Sequence, residues 1–335
     1  MTRIRTPLCP LLGIEIPIIQ APVGSATCPQ LASAVSNAGG LGTLALSWRS
    51  LSECRELIRG TRTLTDLPFG VNLVLEWPQE DRLKLCLDEG IRIFAFSWGN
   101  PEGLIPLVHS AGGVVIVQAG SADEARQAVA SGADAVIAQG WEAGGHVQSS
   151  VSTLALVPRV VDAVTPTPVV AAGGIADGRG LAAVLTLGAD GAWIGTRFLA
   201  SREAAAHPAY KALLVSSRET DTLYSTLFDV GWPNAPHRTL KNSTTNLWEA
   251  SGHARSGERP EEGEPIAYRG DGRPVVRYSD AMPLPDMTGS VEALALYAGQ
   301  GVGLINDLPP AANIVRQLVD ETCAGLKRSA ELYET

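Results

Sequence analysis

The stretch QGWEAGGHVQ, residues 139 to 148, sets an imidazole behind two glycines and a carboxylate. A histidine, with an ordinary pKa near 6.5, can take or give a proton at working pH. Gly144 and Gly145 leave room for a flat ligand against the backbone. A second group of residues suits an anion. AAGGIADGRG carries Gly173 and Gly174, and GAWIGTRFLAS carries Gly195 and Thr196, each after a short apolar run and before a helical segment. Glycines let backbone N–H groups approach an anion closely, and a helix N-terminus adds partial positive charge. Proton transfer at His146 beside a bound phosphate is the chemistry these residues could do together. Taken singly, each glycine pair reads more readily as a turn, but the two on consecutive strands favour a phosphate; His146 alone reads equally well as a structural residue.

Other candidates are weaker. His109 lies in the helical pattern EGLIPLVHSAGG and reads as structural; His207 precedes a proline and reads as a turn cap. His237 and His253 stand in a segment whose spacing gives them no role. Glu142 could orient His146, although a solvated surface carboxylate is the expectation. No Ser-His-Asp order, no G-x-S-x-G elbow and no H-E-x-x-H is present. The five cysteines are scattered without a C-x-x-C pair, which indicates neither a disulfide framework nor a metal site.

Eight short apolar runs must position these residues: 17–22, 41–46, 69–75, 91–97, 114–119, 135–140, 168–174 and 191–197. Between them lie segments of helical spacing, several ending in glycine, as helix C-termini prefer. In one of these, Ser121 and Glu124 form a capping-box pattern. Strands that are apolar throughout suit a parallel sheet covered on both faces, and eight such units predict a (β/α)8 TIM barrel. An open doubly wound sheet is the alternative. In a barrel, working groups gather on the loops after the strands. Ala21 and Pro22, Asn72, Gln118, Gln139 to His146, Gly173 to Gly174 and Gly195 to Thr196 all share that address.

Residues 201–287, rich in Pro, Gly and charge, break this rhythm and read as an inserted lid; Trp232, Trp248 and Tyr268 there either line a pocket or hold the lid together, the second being expected. Residues 1–200 with 288–335 would make the barrel, closed by helical patterns in SVEALALYAGQGVGLI and AANIVRQLVDETCAGLKRSAELYE.

The net charge is −9, with no dense run of Lys and Arg, which argues against nucleic acid and anionic membrane as partners. No apolar run approaches the roughly 18 residues of a membrane span, and the first residues lack a signal-peptide core. A cytoplasmic protein is the expectation, and the sequence leaves open whether it forms a homo-oligomer.

PIIQAP, NAGGLGTLAL, FGVNL, AQGWEAGGH, the run from VVAAGGIADGRG to GTRFLAS, and ALYAGQGVGLI together resemble the nitronate monooxygenase family, formerly called 2-nitropropane dioxygenases. The resemblance implies an FMN-dependent barrel that oxidises alkyl nitronates, or nitroalkanes, with O2 to a carbonyl compound and nitrite. It implies that Ala21, Pro22 and Val23 line the flavin ring through their backbone. Asn72 and Gln139, joined by Gln118, would hydrogen-bond the flavin or its ribityl chain, and Gly144 and Gly145 would pack close to it. Gly173, Gly174, Gly195 and Thr196, with the backbone of Trp193 and Ile194, would hold the phosphate, and His146 would be the catalytic base. Val23 departs from the methionine usual in that family, which bears on the shape of the substrate pocket. FMN-dependent enoyl-ACP reductases and NADH:quinone reductases share the barrel and the glycine loops, and form the alternative.

Overall fold

The computed structural model describes residues 4–332. Each of the eight apolar runs supplies one strand: β1 (Ile18–Gln20), β2 (Gly42–Ala45), β3 (Phe69–Val74), β4 (Ile93–Ser97), β5 (Val114–Ala119), β6 (Ala135–Gln139), β7 (Val169–Ala172) and β8 (Gly191–Ile194). All pair in parallel with their sequence neighbours, and β8 pairs with β1. The remaining seam, between β1 and β2, is joined at Ile19 and Leu41. There Leu41 N–H donates to the Ile18 carbonyl and Gln20 N–H to the Leu41 carbonyl, both at 2.9 Å. The buried Gln20 side chain extends the seam, its Oε1 accepting from Thr43 N–H at 3.0 Å. The sheet is therefore a barrel and not an open doubly wound sheet.

Successive strand residues face opposite sides, and the core divides accordingly. Ile19, Leu41, Ile93, Ala95, Ile116, Ile137, Val170 and Trp193 fill the barrel with Leu8 and Leu12. Their neighbours Ile18, Phe94, Phe96, Val115, Val136, Ala171 and Ile194 pack outward on the helices. Leu8 and Leu12 come from a short N-terminal helix, Leu8–Leu12. Leu8 presses so close to β8 that a Cβ on Gly191 would lie 2.6 Å from its Cδ2.

Seven helices link consecutive strands, and the capping chemistry is largely local. Ser50 and Glu53 form a complete capping box at Leu51–Arg62. At Ala122–Ala130 the expected box is half made. Ser121 accepts from Glu124 N–H, but the Glu124 carboxylate accepts from Gly120 N–H, one residue before the box position. Helix Ala311–Glu331 takes the eighth place, against Gly178–Thr186 and Pro29–Asn37. It comes so close that a Cβ on Gly178 would meet Glu321 Cβ at 2.3 Å.

Between β8 and that helix lie helix Pro208–Ser216, whose Tyr210 and Leu214 join the outer core, and two small sheets. One sheet pairs Thr222–Ser225, His237–Leu240 and Gly145–His146. The other pairs Pro265–Tyr268 with Pro274–Val276 and Thr288–Gly289. SVEALALYAGQGVGLI, expected to be helical, holds only 3-10 turns at Val291–Ala293 and Gln300–Leu304. Its middle is extended because it pairs with the small sheet: Leu240 N–H donates to the Leu296 carbonyl, and Ala298 N–H to that of Arg238. Alanines and leucines on both sides of that strip are buried, so helical spacing was a poor guide. Among the described residues, no helix is long and apolar enough to cross a membrane.

Candidate active site

One large cavity, about 1220 Å3, opens at the carboxyl ends of the strands. That exceeds the roughly 300–1,000 Å3 of a pocket for one small ligand. Its wall brings together Ala21, Pro22, Val23, Asn72, Gln118, Gln139, Gly144, Gly145, His146, Gly173, Gly174, Trp193, Gly195 and Thr196. Ile194 is the exception among the residues expected there. Strand alternation turns it outward onto the helices, and its carbonyl is taken by Ala21 N–H.

The amides are aligned at the cavity by their own network. Gln118 Nε2 donates to Gln139 Oε1 at 3.1 Å, and Gln139 Nε2 to the His146 carbonyl at 3.3 Å. Asn72 Nδ2 donates to the Ala95 carbonyl at 3.1 Å. The glycine loops at the ends of β7 and β8 offer bare donors. The N–H groups of Gly174, Gly195 and Thr196 find no acceptor among the described residues. An ideal Cβ on Gly195 would meet nothing closer than Ala21 at 3.8 Å, so the space beside it is open. The helix after β7 does not contribute as its sequence suggested. Its first turn is already occupied, with Asp177 accepting from Gly180 N–H and Glu321 from Gly178 N–H. Gly178 is there for helix packing.

Gly144 and Gly145 differ in purpose. A Cβ on Gly144 would lie 2.4 Å from Gly299 N, where the chain of the 290s crosses the loop. Gly145 has φ +77 and nothing within 4 Å, so the backbone turn requires it. His146 follows in a two-residue strand paired with His237. The fully buried Arg238 anchors this loop, donating to the Trp141 carbonyl at 2.9 Å while its guanidinium lies 4.2 Å from the Trp141 ring centroid.

The imidazole of His146 sits in an aromatic box. Ring centroids lie at 4.2 Å for Trp232, 5.4 Å for Tyr297, 5.4 Å for His237 and 6.2 Å for Trp98. Its Nε2 is buried with no hydrogen-bond partner among the described residues. Burial, with His237 adding to it, lowers its pKa to about 3, so the ring is neutral. His237 is neutral too. Its Nε2 accepts from Phe228 N–H, which leaves Nδ1–H to donate to the Ala235 carbonyl, and burial lowers its pKa. Glu142 neither orients His146 nor stands solvated: its carboxylate accepts from Thr153 N–H at 2.8 Å and from Thr153 Oγ1.

The other histidines are structural. His109 pairs with Asp134 at 2.9 Å, and His207 Nδ1 caps helix Pro208–Ser216. His253 packs edge-on against Trp248. Of the lid aromatics, Trp248 packs within that segment and Tyr268 is exposed, but Trp232 belongs to the cavity. Sequence reasoning also missed Trp77, Trp98, Tyr297 and Asp280 on the cavity wall. Trp98 had a usable signal: it follows β4, at the shared address. Tyr297 and Asp280 had none, because only the crossing chain of the 280s and 290s brings them over the barrel mouth. Burial pushes the Asp280 carboxyl up to about 6. Among the described residues no cluster of His, Cys, Asp or Glu could hold a metal ion.

The geometry defines a (β/α)8-barrel enzyme with a half-buried imidazole and open backbone donors on one cavity. The chain belongs to the nitronate monooxygenase family, whose pattern it matches over residues 5–81 and 77–321, and is an oxidoreductase of that family. It is similar to the nitronate monooxygenase of Pseudomonas aeruginosa, 35% identical over 93% of this chain and 97% of the other. It is equally similar to the (3aS,4S,5R,7aS)-5-hydroxy-7a-methyl-1-oxo-octahydro-1H-indene-4-carboxyl-CoA dehydrogenase of Mycobacterium tuberculosis, 35% identical over 99% and 100%. Among solved structures, FabK from Thermotoga maritima superposes with a TM-score of 0.83 at 32% identity, over 98% of this chain and all of that one. The nitroalkane oxidase of Streptomyces ansochromogenes gives 0.77 at 31%, over 96% and 99%.

Proposed function

We propose that this protein is an FMN-dependent oxidase of alkyl nitronates, converting them with O2 to a carbonyl compound and nitrite. The observation that carries the reading is His146, its Nε2 without a hydrogen-bond partner, on the same cavity as three free backbone donors. FMN suits the residues present. The N–H groups of Gly174, Gly195 and Thr196 would hold its phosphate beside the open space at Gly195. Ala21, Pro22, Val23, Asn72, Gln118 and Gln139 would border the rest. When bound, FMN would supply the electron acceptor for the substrate and the donor to O2.

The chain's own part is to dry, orient and handle a proton. Trp98, Trp232 and Tyr297 exclude water around His146 and fix its ring. A neutral imidazole can accept the α-proton of a nitroalkane, the nitronate formed beside it supplying the counter-charge that burial otherwise withholds, or donate a hydrogen bond to a nitronate oxygen. The imidazolium is disfavoured by the same burial, so a nitronate meets a dipole rather than a standing charge.

His146→Asn should lower turnover of neutral nitroalkane by roughly 10²–10⁴-fold, the range for loss of a general base. Absorbance near the flavin bands should show FMN still bound. Undiminished turnover in this variant would remove His146 from the mechanism. A second reading, a reductase or dehydrogenase acting on an acyl-CoA substrate, is favoured by the size of the cavity and by the dehydrogenase relative. Anaerobic bleaching by NADH or by an acyl-CoA, without nitrite release from any nitronate in air, would decide for it.

A further inference from the structure

The cavity wall also carries cations that the nitronate reading does not use. Arg49 follows β2, Arg82 stands in the helix after β3, and Arg269 begins the turn of the hairpin between Pro265–Tyr268 and Pro274–Val276. All three are half-buried, and none forms a salt bridge among the described residues, whereas three of the four buried arginines, Arg197, Arg259 and Arg277, do. Arg49 Nε is buried without any partner. Arg49 and Arg82 are held in place by backbone carbonyls: Arg49 Nη2 donates to the Ser25 carbonyl at 3.2 Å, and Arg82 Nε to the Arg49 carbonyl at 2.9 Å. The carboxylates on the same wall are engaged elsewhere. Glu53 caps its own helix through Ser50, Asp271 is paired with Arg273, and Asp286 accepts from Gly270 N–H. Asp280, whose carboxyl burial pushes up to about 6, also lines the wall and forms no salt bridge with the three arginines among the described residues.

Half-buried guanidinium groups without a counter-charge are costly unless a ligand supplies one. Their forked donors match phosphate oxygens in pairs, which ammonium groups do not. Position separates this group from the flavin phosphate. In an eight-stranded barrel β3 lies opposite β7 and β2 opposite β6. Arg82 therefore stands across the mouth from Gly174, Arg49 stands two strands round from β8, and Arg269 reaches the wall from the hairpin outside the barrel. We propose that Arg49, Arg82 and Arg269 form an anion subsite that takes the phosphorylated tail of a second, diffusible reactant. The inference rests on the flavin-dependent reading of the site, not on the nitronate. A pyrophosphate-bearing tail of this kind is carried both by coenzyme A thioesters and by nicotinamide dinucleotides.

The test uses the full-length, flavin-loaded protein and calorimetric titration with inorganic pyrophosphate, coenzyme A and NADPH. Pyrophosphate should bind, more weakly as salt rises, and whichever of the other two displaces it identifies the source of the tail. Arg269→Gln, which disturbs no backbone contact, should weaken binding at least about threefold. Arg49→Lys with Arg82→Lys, which keeps the charge but loses the fork, should weaken it about tenfold. His146→Asn should leave it unchanged. Failure of all three probes to bind at millimolar concentration overturns the proposal, as does binding that survives every arginine substitution. If nitronates release no nitrite yet a probe binds through the arginines, the nitronate reading falls and the subsite stands.

Discussion

At the scale of single residues, the glycines around the cavity separate into those the chain needs and those a ligand would need. Gly144→Ala forces a methyl to within 2.4 Å of Gly299 N and should destabilise the protein by about 1–3 kcal/mol in urea unfolding. Gly195→Ala meets only ordinary contacts, so its unfolding midpoint should hold. FMN affinity should nevertheless fall about tenfold, or about 1.4 kcal/mol, read from the flavin retained on dialysis. Asp280 makes a different prediction. Its folded-state pKa, about 6, lies above the ordinary 3.8, so the folded state holds the proton more tightly than the unfolded chain. Stability from this group is then full below about pH 4 and is lost as pH rises through 6. The loss is up to about 3 kcal/mol, at 1.36 kcal/mol per pKa unit. Asp280→Asn should remove that component, flattening the difference in unfolding free energy measured between pH 4 and 7.

At the scale of elements, alternation along each strand decides which residues reach the site. Asn72, Gln118 and Gln139 each stand two residues from an inward position or between two outward ones, as Val71 and Leu73 flank Asn72. Their polar character at the end of an apolar run was legible without coordinates. The same parity sends Trp193 inward and Ile194 outward, a distinction that the alternation along the strand carries. Gln20 ends its strand like the others but works at the β1–β2 seam. Gln20→Ala would leave Thr43 N–H unpaired in a buried place and should cost about 1–3 kcal/mol in urea unfolding, with the barrel's far side intact by hydrogen exchange.

At the scale of the whole molecule, distant segments complete both the core and the cavity. Helix Ala311–Glu331 fills the eighth helical place through Ile314, Val315 and Leu318, all buried. Leu318→Ala should lower global stability by about 2–5 kcal/mol, seen as one cooperative shift and not as fraying of the last helix. Over the mouth, Trp232, Asp280, Met282 and Tyr297 come from the chain between β8 and that helix. They set the dryness of His146 and the shape available to substrate.

The sequence by itself determined eight parallel strands alternating with helices, because eight apolar runs with glycine-ended helices between them ask for a sheet covered on both faces; the seam between β1 and β2 decided that the sheet closes. It also determined where chemistry would gather, since parallel strands bring all their carboxyl ends to one rim. Only the tertiary structure decided what surrounds the imidazole, which cations remain unpaired, and that the strip around Leu294 to Ala298 is extended. Those outcomes depend on contacts between residues some 50 to 250 positions apart, for which local periodicity and composition carry no information.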